Sequence, residues 1–193
     1  LVAAILLLPF VIAPAAGAQH ASLGLAKRRQ VDVPIRDFVL TDQNGRPFAF
    51  KELRGKVVAV NFAYTTCPDV CPLLTAAMRR IQEGLSAAER ASVSLVTVTT
   101  DPEIDNARTL SAYATRYSAD TANWSFVTGR EQDLQPVWKN FGVAVRKLAR
   151  GLVDHTALTA LVDQNGRMRV AYHGGTPDER LVLADVRSLL AKR

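Results

Sequence analysis

Cysteine is scarce in this chain, with two residues, Cys67 and Cys71, among 193. Two thiolates alone under-ligate most metals, so a metal site built on them needs another donor. Histidine is nearly as sparse, and its three copies are His20, His155 and His173. No cluster of basic residues interleaved with aromatics occurs, although the net charge is +6. The positive side chains are dispersed, and Lys27-Arg28-Arg29 is the densest run. That pattern describes a solvated positive surface and argues against a nucleic-acid partner. Charge is also missing from Leu1 to Ala18, which carries no polar side chain at all. The remainder is ordinary globular composition, 48% hydrophobic and 22% charged, and the length suits one domain plus a tail.

The uncharged segment 1–18 has two readings. One is a signal peptide, with an apolar core from Ile5 to Ile12 and Ala16-Gly17-Ala18 as a small-residue cleavage site. The other is a membrane anchor, near the lower limit of length and interrupted by Pro9 and Pro14. Both place the folded part outside the cytoplasm, either periplasmic or membrane-associated. Residues 19–31 read as a polar linker, and 32–193 as the folded domain.

Val57 to Phe62 is a nearly continuous apolar run, rich in β-branched residues and broken by Asn61, and it reads as a strand buried on both faces. Thr, Cys, Pro and Asp end it. From Pro72, apolar residues at Leu73, Leu74, Ala77, Met78 and Ile81 recur at helical spacing. Before this unit, Asp37 to Phe50 reads as a β-hairpin turning at Asn44-Gly45. After it come strands over Ser94–Thr99, Trp124–Val127, Ala157–Val162 and Met168–Tyr172. Helices are expected over Asn106–Tyr117, Glu131–Phe141 and Pro177–Leu190, with a basic loop after Val145. The segment Asp-Gln-Asn-Gly-Arg occurs at 42–46 and again at 163–167, which suggests two similar turns. The sum is an α/β class: a three-layer sandwich with a central mixed sheet, an added N-terminal hairpin and the thioredoxin layout.

Both cysteines therefore sit where a buried strand hands over to a helix. Unpaired N–H groups and the helix dipole stabilise a thiolate there. A spacing of four puts both sulfurs on one side of a first turn, close enough for a disulfide or for one shared metal ion. A structural bridge across so short a loop would constrain the unfolded chain little. His155 precedes a core strand that should face the cysteine loop, which makes it the third donor. A set of two sulfurs and one nitrogen suits soft Cu(I), whereas zinc would want a fourth ligand such as Asp69 or water. His173 reads as an exposed strand end and His20 as a tail residue.

Tyr64-Thr65-Thr66-Cys67-Pro68-Asp69-Val70-Cys71-Pro72, Asp101-Pro102-Glu103-Ile104-Asp105 and Val153-Asp154-His155-Thr156 resemble the three motifs of the Sco/SenC family. The resemblance implies a thioredoxin-like copper chaperone of cytochrome c oxidase assembly, covering about residues 32 to 191. It implies Cu(I) or Cu(II) held by Cys67, Cys71 and His155, with Asp69, Asp154 and Asp101 in support. It also implies that Cys67 and Cys71 form a redox-active disulfide. The partners implied are the copper-site subunit of the oxidase, other copper carriers and thiol-disulfide reductants. Gly151 departs from the family, which often has an aromatic there. The competing class is a thiol-disulfide oxidoreductase on the same fold. Thioredoxin-type reductants have two residues between their cysteines, where this chain has Pro68, Asp69 and Val70. A peroxiredoxin would need Thr at the position of Tyr64.

Overall fold

Valine at 57, 58 and 60 favours extended backbone, and no charged side chain interrupts the run to Ala63. In the computed structural model, which describes residues 24–192, every residue of Val57–Ala63 is buried. Among the described residues the elements are, in order, β1 (Lys27–Pro34), β2 (Val39–Asp42), β3 (Pro47–Ala49), β4 (Val57–Ala63), α1 (Val70–Glu83), α2 (Ala87–Ser92), β5 (Val93–Thr99), α3 (Ala107–Arg116), β6 (Trp124–Thr128), α4 (Glu131–Asn140), β7 (Val145–Lys147), β8 (Val153–His155), β9 (Leu158–Val162), β10 (Arg167–His173) and α5 (Glu179–Leu190).

Eight strands form one sheet in the order β1-β10-β9-β4-β5-β6-β2-β3. β4, β5 and β6 run parallel, while β9, β10, β1, β2 and β3 join antiparallel, so the sheet is mixed as expected. Alternate residues of β4 face opposite layers, as the two-residue period of a strand requires. Val57 and Ala59 pack with Met78 and Ile81 of α1, Leu110 and Tyr113 of α3, and Val182 and Val186 of α5. Val58, Val60 and Phe62 pack on the other face with Phe50 and with Leu134, Val137 and Trp138 of α4. The polar break at Asn61 is accommodated inside the sheet, where the Thr97 hydroxyl donates to its side-chain oxygen at 2.7 Å.

The repeated Asp-Gln-Asn-Gly-Arg segments do form matching turns. Asp42 Oδ1 accepts the N–H groups of Asn44 and Arg46, both at 2.8 Å. Asp163 Oδ1 does the same for Asn165 and Arg167, at 3.0 and 2.9 Å. Gly45 and Gly166 take φ of 76° and 77°, a region that costs other residues energy.

The structure corrects the sequence reading in three places. Lys27–Val31, expected within the linker 19–31, belongs to β1, an edge strand pairing with β10. The polar run is tolerated because Arg28 pairs with Asp185 and the strand's outer side faces water. The basic loop after Val145 is a two-stranded hairpin, β7 with β8. Finally, α1 starts at Val70 rather than Pro72, so Cys71 lies inside the helix. Pro72 still costs nothing, because the first turn of a helix has N–H groups without intrahelical partners. The segment 1–18 and His20 lie outside the described residues. No helix among the described residues is long and apolar enough to cross a membrane.

Candidate metal centre

β4 ends at Ala63, the chain turns through Tyr64 to Asp69, and α1 begins. Cys67 lies half-buried on that turn and Cys71 is fully buried in the first turn of α1. A helix start offers N–H groups that need an acceptor. Asp69, at the N-cap, makes no capping bond with its side chain. Instead the Cys71 N–H donates to Cys67 Sγ at 3.4 Å, so the sulfur fills part of the role of a capping oxygen.

The hairpin β7–β8 brings the third side chain. Tyr64 is buried, and its hydroxyl accepts the Val153 N–H at 3.3 Å, which fastens β8 against the cysteine turn. The Tyr64 and His155 rings meet edge-on, 6.0 Å between centroids. His155 Nε2 lies 3.6 Å from Cys71 Sγ. The other ring nitrogen, Nδ1, is 3.2 Å from the Thr156 carbonyl oxygen. A carbonyl can only accept, so Nδ1 carries the proton and Nε2 presents its lone pair to Cys71. Burial holds the His155 pKa below its ordinary value, which keeps the ring neutral.

The two thiols are made unequal by their surroundings. Hydrogen bonding from Cys71 brings the Cys67 pKa down to about 5, against the opposing effect of burial, with the Asp69 and Cys71 amides and the Tyr64 hydroxyl adding to it. Cys71 moves the other way, pushed up by its bond to Cys67 and by burial. Burial likewise raises Tyr64 to about 12, so it remains a phenol. The result is one thiolate, one thiol and one neutral imidazole. Two sulfurs and a nitrogen suit a soft ion such as Cu(I). Among the described residues no three such side chains already enclose a point that could hold an ion. The Cys71–His155 pair is in contact, and Cys67 Sγ lies against the Cys71 amide on the adjoining turn.

Other expected residues fall outside this trio. Asp154 is exposed and pairs with Arg146 at 2.8 Å, on the opposite side of β8 from His155. Asp69 is exposed. Asp101 is buried just beyond β5, where its carbonyl accepts the Asp105 N–H at 2.9 Å. His173 ends β10, separated from β4 by β9. Sequence reasoning passed over the contributions of Tyr64, Thr65 and Asp105. Asp105 lies in the same short motif as Asp101, and its distance from the thiols along the chain hid the contact.

An α/β sandwich with paired thiols at a strand–helix junction and a histidine facing them has the thioredoxin-like fold, in the branch with three residues between the cysteines. The family model described as SCO1/SenC matches residues 26–191, and the chain belongs to that family. It is 30% identical over 159 residues to the SCO1 protein homolog of Bacillus subtilis, covering 80% of this chain and 81% of that protein. Among solved structures it resembles BsSco, "a member of the Sco family of cytochrome c oxidase assembly proteins", in which a disulfide switch was identified. That match has a TM-score of 0.74 and 27% identity, covering 86% of this chain and 98% of the other. Bradyrhizobium japonicum ScoI, solved with copper bound, matches with a TM-score of 0.68 and 28% identity, over 82% of this chain and 100% of that one.

Proposed function

We propose that this protein binds copper through Cys67, Cys71 and His155 and serves the assembly of cytochrome c oxidase. The observation that carries the ligand set is the 3.6 Å approach of Cys71 Sγ to the unprotonated Nε2 of His155, with Cys67 on the adjoining turn. The copper-bound ScoI relative and the oxidase-assembly description of BsSco support cargo and pathway. The partner on this reading is the oxidase subunit that receives copper, with other copper carriers or thiol reductants upstream. The uncharged segment 1–18 supports an exported or membrane-anchored setting. The supporting role left for Asp69, Asp154 and Asp101 is to shape the loops and not to bind metal.

The test is copper stoichiometry on the reduced protein. One Cu(I) per chain is expected, lost in Cys67→Ser and in Cys71→Ser. His155→Ala should weaken Cu(II) more than Cu(I), since the harder oxidation state depends more on nitrogen. Full copper uptake by either serine variant sinks the ligand assignment.

A second reading, reduction of a disulfide in the partner, is favoured by the unequal thiols. A half-buried thiolate can attack while a buried thiol waits to resolve the mixed disulfide. Attack by Cys67 would form a mixed disulfide and release one partner thiolate. Cys71, on losing its proton, would then displace the second, leaving Cys67–Cys71 oxidised by two electrons. Catalytic reduction of a disulfide peptide by protein that takes up no copper would favour this reading over the first.

A further inference from the structure

Asp105 lies in the loop between β5 and α3 and has no exposed surface. Burying a carboxylate is unfavourable unless its oxygens are bonded, and here both are. Oδ1 accepts the Thr65 hydroxyl at 2.5 Å. Oδ2 accepts the Thr65 N–H at 3.1 Å and the Thr99 hydroxyl at 2.6 Å. The backbone of Asp105 is equally fixed: its N–H donates to the Asp101 carbonyl at 2.9 Å, and its own carbonyl accepts the Thr128 hydroxyl at 2.6 Å. Thr99 and Thr128 are the last residues of β5 and β6. The carboxylate is thus fastened to the rigid ends of two sheet strands, and it reaches from there to Thr65, two residues before Cys67.

We propose that Asp105 is a positioning residue for the thiol pair: through Thr65 it fixes the turn that sets Cys67 against the Cys71 amide and beside Cys71 and His155. Thr65 lies on this turn, and both its N–H and its hydroxyl are bonded to Asp105. The Cys67 N–H donates to the Tyr64 carbonyl at 3.3 Å, which carries the clamp from Thr65's neighbour to the cysteine itself. The clamp thereby holds Cys67 half-exposed against the Cys71 amide while Cys71 stays buried, so the two sulfurs differ in how readily a reagent reaches them.

The test uses three variants. Asp105→Ala removes both acceptors. Asp105→Asn keeps the shape and one acceptor oxygen but no charge. Thr65→Val removes one donor and leaves the carboxylate bonded to Thr99. Alkylation rates of Cys67 and Cys71 are measured separately by mass spectrometry on metal-free, reduced protein, with thermal melts to follow folding. The ratio of the two rates should fall by about tenfold in Asp105→Ala and in Thr65→Val, and much less in Asp105→Asn. If Asp105→Ala does not fold, Thr65→Val carries the measurement. Folded variants with the wild-type ratio overturn the proposal. A ratio lost in Asp105→Asn but kept in Thr65→Val assigns the effect to charge alone and overturns it as well. The role rests on the thiol-pair site, but this readout needs no copper, so failure of the wild type to bind copper would be a separate result.

Discussion

At the scale of single residues, the unequal thiols decide the chemistry. Cys67 ionises near pH 5 because it accepts hydrogen bonds as a thiolate, and Cys71 resists ionisation because it is bonded to Cys67 and buried. A thiol reacts with alkylating agents only as the thiolate, which is present above its pKa. Metal-free protein should therefore show a fast alkylation phase confined to Cys67, half-maximal near pH 5 and lost as the pH falls through that value. An ordinary cysteine titrates near pH 8.5. A single phase for both residues with a midpoint above pH 8 would contradict the assignment. The meeting of Cys71 with His155 was anticipated because cysteine and histidine are rare in this chain and the strand–helix pattern places both at one end of the sheet. That of Asp105 with Thr65 was not, because only the fold brings them together.

At the scale of elements, β4, β5 and the helices α1, α3, α4 and α5 were legible because burial imposes a period that composition displays, whereas α2, with no buried residue, was not. Nor was β1. Its residues are mostly exposed, so its place in the sheet depends on side-chain pairing rather than on apolar alternation. Arg28 makes two bonds of 2.7 Å to the two oxygens of Asp185 on α5. The Tyr172 hydroxyl of β10 donates to the same carboxylate. One ion pair thus ties β1, β10 and α5 together. Burial pushes the Asp185 carboxyl up, but Arg28 and Tyr172 together outweigh it and hold it below its usual range. Such stabilisation is complete above the unfolded carboxylate pKa, about 3.9, and is lost as pH falls through the lower folded value. Arg28→Ala should cost about 1–2 kcal/mol at neutral pH, allowing for the partly exposed guanidinium. Urea melts should show that difference shrinking below about pH 4. A cost that is the same at pH 7 and pH 3 would mean that packing of the Arg28 stem, and not the charge pair, holds the strand. The hairpin β7–β8 escaped sequence reading for another reason: three-residue strands are too short to display a period.

At the scale of the whole molecule, the proposed metal site joins two parts of different kind. Cys67 and Cys71 stand at the end of the large sheet, while His155 belongs to the separate two-stranded sheet. Apart from copper, the link between them includes the Tyr64–Val153 hydrogen bond and a small apolar cluster of Ala63, Tyr64, Cys71 and Val153. An ion held by all three side chains would bind the folded state and staple the hairpin down. At free copper a hundredfold above Kd, such linkage contributes about 2.7 kcal/mol. For a domain of this size that raises the melting temperature by roughly 5–10 °C. Amide exchange at Val153 to Thr156 should slow on loading. Melting unchanged by stoichiometric Cu(I) would separate copper from the fold.

The difference in burial between Cys67 and Cys71 also imposes an order of events. Cys71 has no exposed surface, and Cys67 is open to water. If an ion is exchanged here, Cys67 is the sulfur that a partner would reach first. On the copper reading a donor would meet Cys67 first, and Cys71 would complete the sulfur pair from inside the fold. A recipient with a competing thiol would likewise approach from the Cys67 side. The bond to buried Cys71 would then be the last to yield, and its rate would set how long a docked partner waits.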